Sequence, residues 1–359
     1  MASTEFGTND AQTVKRWGTE LMTEVMERSF VKRLMGTGPD SVVQRLTDLD
    51  SGAGDTIKYD LLTAMRSDGV QGDSQLEDYE EEMNFAQDEI KIDQLRNASD
   101  FMTMTQQRTL HNLRTKAKSQ LAEWNAWKLD TMTFAYLAGT AGDGPENAAG
   151  TIGSGFAGNS LVTPDTAHYI DHVSSPSTFK LQYIHDAVTK AKTINPRLRP
   201  AIVDGEKKFC LIMHPYTVNE LKQETGDQAW SMIHARIAEN GSNNPIYNGA
   251  IGEVNGVVLH ESEHIPITFN SGSDWDCSSL FLGAQAGTIA FGNAHGKGMG
   301  KGLKGGRFYK WHEQVRDYDN KKGVAVSSIF GVKKTRFTVD GTPQDFGVIR
   351  IDTRDAAPS

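Results

Sequence analysis

Apolar residues recur along this chain with two different spacings, and the places where the spacing changes divide it into segments. Leu21, Val25, Met26, Val31, Leu34 and Met35 keep a near-helical spacing, which predicts a helix stopped by Gly36-Thr37-Gly38-Pro39. From Val42 to Leu95 the spacing falls to two: Ile57, Tyr59 and Leu61 alternate with Lys58 and Asp60, and Ile90 and Ile92 alternate with Lys91 and Asp93. That is the pattern of half-exposed strands. Between them, Ser67 to Glu89 holds nine carboxylates and no Lys or Arg, broken by glycines. The prediction is a long two-stranded excursion with a wide acidic tip. An isolated hairpin is marginal in water. This one has few apolar residues for a core of its own, so its support is expected on another surface, with a second copy of the chain the candidate.

The strongest helical pattern runs from about Thr105 to Ala138. Leu110, Leu113, Ala117, Leu121, Trp124, Leu129 and Met132 stay near one face, no Gly or Pro interrupts Phe101 to Ala138, and Gly139 follows as a stop. At ~1.5 Å per residue that helix would be roughly 50 Å long, a strut rather than a core helix. Residues 139–166 read as loop, and Ser177 to Thr193 as a helix closed by Pro196 and Pro200. Beyond residue 207 the pattern is α/β. A strand Phe209 to Met213 runs into His214-Pro215-Tyr216, then helices follow from Thr217 to Lys222 and from Gln228 to Glu239. Ile251 to Leu259 predicts a hairpin, because Asn255-Gly256 supplies the positive φ angles of a type I′ turn. Leu280 to Phe291 is apolar and fits strand or buried helix. A Gly/Lys loop, Gly292 to Gly306, leads to strands over Phe308–Val315, Val324–Phe330, Thr335–Val339 and Gly347–Ile351.

Composition narrows what such a chain can do. At 359 residues it exceeds the usual limit of a single core, so two or more subregions are expected. The net charge of −9 argues against a protein built to grip nucleic acid, which needs a basic face, but suits a wall that encloses DNA without sticking to it. Cys210 and Cys277 form no Cys-x-x-Cys pair, and Cys210 sits in the apolar run Phe209 to Met213; a reducing compartment is expected. Residues 1–17 are polar and no stretch approaches 18 apolar residues. Neither a secretion signal nor a membrane span is expected, which places folding in a cytoplasm-like setting.

Three motifs carry candidate chemistry. His260-Glu261-Ser262-Glu263-His264 matches the letters of a zinc-protease site, the alternative reading being a zinc-dependent hydrolase using His260, Glu261 and His264. That site works only on a helix, and here Val257-Val258-Leu259 precede it and Pro266 follows, so the imidazoles of an extended segment would lie ~13 Å apart. Gly300-Lys301-Gly302-Leu303-Lys304-Gly305 has the spacing of a dinucleotide loop but runs into Arg307-Phe308-Tyr309-Lys310-Trp311, which looks like a strand where that site needs a helix. The same loop is basic: Lys297, Lys301, Lys304 and Arg307 lie in a stretch with no acid from Cys277 to His312. It is an electrostatic candidate for an acidic surface, either DNA or the 67–89 tip of a neighbour. Glu80, Glu81 and Glu82 lie in a strongly polar run, without the burial that tunes a catalytic carboxylate. No catalytic residue, metal ligand or cofactor is assigned.

The order of pieces (polar arm, two-stranded excursion, very long helix, α/β region, returning strands) resembles the capsid fold of tailed bacteriophages, the Hong Kong 97 type. Asp68-Gly69-Val70-Gln71-Gly72-Asp73, Ile90 to Gln94, Gln107-Arg108-Thr109 and Leu121 to Trp124 resemble the major capsid family grouped with the N-four podovirus. So do Met213 to Tyr216, Asn244 to Gly252, Gly331 to Thr335 and Asp345 to Arg350, and together these cover roughly residues 40–352. The resemblance implies an α+β chain laid out as N-terminal arm 1–45, extended E-loop hairpin 46–100, P-domain 101–204 with spine helix 105–138, A-domain 205–305, and return strands 306–359 completing both domains. It implies a structural, self-assembling protein of the virion: hexamers and pentamers of an icosahedral shell around double-stranded DNA, with portal, scaffold and decoration proteins as further partners. Contacts between subunits are expected at Tyr59, Leu61, Leu62, Met65, Leu76 and Tyr79 of the excursion.

Overall fold

The structure, a computed structural model, describes residues 23–50, 54–62, 69–72, 75, 77, 79–80, 85–143, 159–173, 178–203, 205–224, 251–272, 274–294, 308–318, 320–339 and 342–356. The arm at 1–20 and the expected helix Gln228–Glu239 lie outside those residues. Two sheets form the body. In the first, Met35–Gly36, Val43–Leu46, Gly287–Phe291, Lys321–Lys334 and Tyr309–Arg316 follow one another, and Asp93–Met102 pairs with the far side of Lys321–Lys334. The strand Lys321–Lys334 is 14 residues long and organises this sheet. It pairs with Gly287–Phe291 near one end, and with Tyr309–Arg316 and Asp93–Met102 toward the other. The second sheet has eight strands, with Val348–Ala356, Asp274–Leu282, Glu206–Met213 and Val257–Glu261 at its centre.

The described residues include the helices α1 (Thr103–Arg108), α2 (Leu113–Ala138), α3 (Leu181–Thr193) and α4 (Pro215–Gln223). Alternation along the second sheet decides what each face covers. Cys210, Ile212, Leu280, Leu282 and Val348 turn into one core with α2 and the first sheet. Phe209, Leu211, Met213, Phe281, Ile349 and Ile351 turn the other way, into a core with α3 and α4. A strand covered on both faces reads as an unbroken apolar run, which is what Phe209 to Met213 is. Because α2 runs between the two sheets, its last turns from Leu129 to Ala138 are buried all round.

Several expectations need correcting. The helix expected over 105–138 is broken: α1 ends at Arg108, and Asn112 starts α2 by accepting from Thr115 N at 3.3 Å. At 26 residues α2 is roughly 40 Å long. Leu110, counted on its apolar face, instead lies in the exposed corner between the two helices. The helix expected over Leu21 to Met35 is helical at 23–28 and 3-10 at Val31–Arg33. Asp130 of α2 interrupts it, taking Ser29 Oγ at 2.5 Å, Phe30 N at 2.7 Å and Val31 N at 3.0 Å. Residues expected in the excursion as far as 100 form strand Asp93–Met102 of the body. Leu280 to Phe291 resolves into the ends of two strands, divided by a turn through Ala284-Gln285. The hairpin at Asn255-Gly256 has the expected positive φ angles, 50° and 76°. Gly139 ends α2 at φ 73°, and a Cβ there would meet Val162 O at 2.1 Å, so both conformation and space require glycine.

Candidate assembly surface

The excursion is a two-stranded antiparallel sheet, Thr56–Leu62 with Phe85–Lys91, in the register Ile57↔Ile90 and Tyr59↔Asp88. Ile57, Tyr59, Ala86 and Ile90 share one face of this pair: Ile57 and Ile90 pack in a small core with Leu49 and Ala290, and further along Ala86 packs with Phe337 and Phe346, with Tyr59 against both. The root of the excursion is thereby seated on its own chain. Asp88 is the polar centre of that seat. It accepts from Tyr59 Oη at 2.8 Å, from Arg336 N at 3.1 Å, and from Lys333 Nζ in a short ion pair. Burial, then the charge of Asp88, holds the Tyr59 phenol well above its ordinary range, so it remains a neutral donor. Beside it, Asp345 pairs with Lys334 Nζ at 2.7 Å and Arg336 Nε at 2.9 Å, and its backbone N–H donates to Asp165 at 2.9 Å. Burial pulls the Lys334 ammonium down and Asp345 pushes it back up.

The residues expected to touch a neighbour therefore fall into different places. Tyr59 is engaged by its own chain, its ring edge-on to Phe337 at 6.1 Å. Leu61 and Leu62 pair through their backbones with Ala86 and Phe85. Met65 and Leu76 lie outside the described residues, as do Lys297, Lys301, Lys304 and Arg307. Tyr79 is 72% exposed. The described tip residues Gly69, Gln71, Gly72, Gln75, Glu77 and Glu80 are exposed as well.

The structure also leaves Met102, Met104, Leu110, Val315 and Tyr318 exposed, which periodicity did not reveal. Each was read as an inward member of a helix or strand, or not singled out at all.

The hydrolase alternative has no support. His260 and Glu261 end the strand Val257–Glu261, parallel to Glu206–Met213. His260 meets Phe30 edge-on at 5.8 Å, and His264 Nδ1 lies 3.5 Å from Thr131 Oγ1. Both imidazoles pack where the N-terminal segment meets α2. After the Gly/Lys loop the chain enters strand Tyr309–Arg316, where a dinucleotide site needs a helix. Cys210 is buried and its thiol is pushed up to about 12 by burial, which leaves it inert. No described helix is long and apolar enough to cross a membrane.

A body of two sheets around a strut helix, carrying an anchored hairpin with an exposed acidic tip, is a tailed-phage capsid fold. The chain is similar to the capsid of Ralstonia phage GP4, with a TM-score of 0.79, 30% identity and full coverage of both chains. It has the fold of the cyanophage Pam1 capsid at a TM-score of 0.66 and 16% identity, over 99% of this chain and 97% of that one. It is also 29% identical to the major capsid protein of Pseudomonas phage KPP25, over 96% of this chain and 95% of that protein. The family described as phage capsid protein matches residues 5–357, and this chain belongs to it. It is a structural subunit of a phage capsid, not an enzyme.

Proposed function

We propose that copies of this chain assemble in the host cytoplasm into hexamers and pentamers of an icosahedral shell that encloses double-stranded DNA, each hairpin reaching over a neighbouring copy. The observation that carries this is the contrast within the excursion: its root is seated by Asp88, Ile57 and Ile90, while its acidic tip is exposed. A segment that orders its base and leaves its tip uncovered is shaped for an external partner. The acidic balance of −9 supports enclosure of DNA without adhesion to it. Portal, scaffold and decoration proteins are further partners under this reading.

In domain terms, the excursion serves as the E-loop, the first sheet with α2 as the P-domain, and the second sheet with α3 and α4 as the A-domain. Two packing relations support this division. Helix α3 buries Ile184, Ala187 and Val188 against the second sheet, and Ala201–Val203 pairs with Glu206–Met213, so these two elements, expected in the P-domain at 101–204, are counted here with the A-domain. The return strands complete both parts, with Lys321–Lys334 in one sheet and Val348–Ala356 in the other.

The test is the purified chain followed by sedimentation velocity and negative-stain microscopy as its concentration rises. Closed shells built from rings of five and six subunits are expected, with contacts of ~2,000–5,000 Å² per pair. A chain that remains monomeric at high concentration would falsify this reading.

A further inference from the structure

The hairpin leaves the body at a single residue. Strand Phe85–Lys91 belongs to the two-stranded excursion and strand Asp93–Met102 to the first sheet, so the chain passes from one sheet to the other at Ile92. The backbone rotations φ and ψ are the soft ones, and the direction of the hairpin depends on how the residues at this turn are held. The first sheet holds one side. A Cβ on Gly331 would run into Lys91 O and Ile92 Cα, and one on Gly292 would meet Ile92 Cδ1 at 2.7 Å.

The other side is held by a side chain that belongs to neither strand. Ile92 N donates to Asp55 O at 2.9 Å, toward the partner strand of the hairpin. Backbone groups alternate in direction along a strand, so those of Lys91 point away from that partner, to the open edge. There Asn159 takes both of them. Its Oδ1 accepts from Lys91 N at 3.0 Å and its Nδ2 donates to Lys91 O at 2.7 Å, as a neighbouring strand would. The two contacts together fix which amide atom is the oxygen. Asn159 is 2% exposed, so its amide depends on these partners rather than on solvent. Its own backbone carbonyl accepts from Tyr136 Oη at 2.9 Å, and Tyr136 lies in the buried last turns of α2. Hydrogen bonds thus run without a gap from the strut helix to the last residue of the hairpin.

The seat at Asp88 works on a different part of the excursion. It grips the face of the hairpin through Lys333 and Arg336. Asn159 grips the edge, at the residue next to the turn. A face contact opposes lifting of the hairpin, and an edge contact opposes its rotation in the plane of the sheet.

We propose that Asn159 is a positioning residue for the excursion: its amide pins the Lys91 backbone to α2 through Tyr136, and so sets the angle at which the hairpin leaves the body before any second copy is present. A hairpin already held at one angle loses little freedom when copies meet, which is how preorganisation favours association. The purpose of the pin rests on the shell-forming reading above, while the pin itself is a property of the single chain.

Spin labels on Asp60→Cys in the hairpin and Ala98→Cys in the first sheet test it. Both positions are exposed, while Cys210 and Cys277 are buried. Pulsed dipolar spectroscopy of the dilute, unassembled chain is expected to give one narrow distance distribution with Asn159 in place, and one at least about twice as broad with Asn159→Ala. Tyr136→Phe keeps the ring and removes only the hydroxyl, and its width is expected to fall between the two. Asn159→Asp supplies a readout that lost packing would not move. Its carboxylate accepts from Lys91 N but repels Lys91 O, whereas the protonated acid donates to that oxygen and restores both bonds. Burial raises such a carboxyl above the ordinary carboxylate range, so its distribution is expected to be broad at neutral pH and to narrow at mild acidity, with the labelled parent unchanged. A width equal to the parent's in Asn159→Ala, or broadening in Asn159→Asp that acid does not reverse, overturns the pin. A parental width in Tyr136→Phe overturns the link to α2. Shell yield of Asn159→Ala is expected to fall at least ~10-fold. Wild-type yield beside a broad distribution overturns the role in assembly and leaves the shell-forming reading intact. Failure of the parent itself to form shells counts against that reading and leaves the distance result standing.

Discussion

His214 ties a hydrogen bond to a proton. It ends the run Phe209 to Met213 and caps α4, its Nδ1 accepting from Tyr216 N at 3.2 Å. Only the neutral ring offers that lone pair, and burial holds the imidazole down to about 4. An unfolded chain binds the proton near the ordinary value of 6.5, so the stability His214 contributes is complete above that pH and is lost as pH falls toward 4. The loss is ~3 kcal/mol at most, since each tenfold change in proton affinity is worth ~1.4 kcal/mol. Asn caps without titrating, so His214→Asn should flatten the stability–pH curve between 6.5 and 4, read as denaturant midpoints across that range. Asp130 and Asp355 act in the opposite sense. Burial raises both above the ordinary carboxylate range, so their stability is present in acid and fades as pH rises through their folded values.

At the scale of elements, the strand Lys321–Lys334 joins the hairpin root to the body through a position with no room. A Cβ on Gly331 would meet Lys91 O at 2.0 Å and Ile92 Cα at 3.2 Å, and both are backbone atoms that cannot swing aside. Gly331→Ala should therefore destabilise by about 1–3 kcal/mol, the usual cost of overpacking, measured by urea unfolding. The strands of the hairpin root were legible in sequence because Ile57, Tyr59 and Leu61 keep a period of two, but their register with Phe85–Lys91 was not. The seat of the hairpin was not legible either. Asp88 meets Lys333 and Arg336 across hundreds of residues of chain, and no local pattern announces such a meeting. The break at Thr109 to Asn112 was also hidden. Those residues carry no Gly or Pro; α1 begins where Met102 leaves its pairing with Lys321, and α2 begins at the Asn112 cap.

At the scale of the whole molecule, folding and assembly use different parts of the chain. Among the described residues, the two cores that hold the body together draw none from the hairpin tip. Removing residues 63–84 and closing Leu62 to Phe85 with Asn-Gly, a turn suited to directly paired strands, should leave the thermal midpoint close to wild type and abolish shells. A collapsed midpoint would show that the tip also belongs to the body. The net charge of −9 has its meaning at this scale too: copies repel one another at long range, so assembly needs local contacts that outweigh that repulsion.

The sequence by itself determined the local elements and the family. Period two, period near 3.6, turn glycines and the order of segments are properties of neighbours in the chain, and steric preference reads them one stretch at a time. The tertiary structure alone decided which apolar residues stay outside and which carboxylate seats the hairpin. Those outcomes depend on which distant segments touch. Burial and charge pairing are settled by the folded neighbourhood, and a side chain carries no record of that neighbourhood in its own position along the chain.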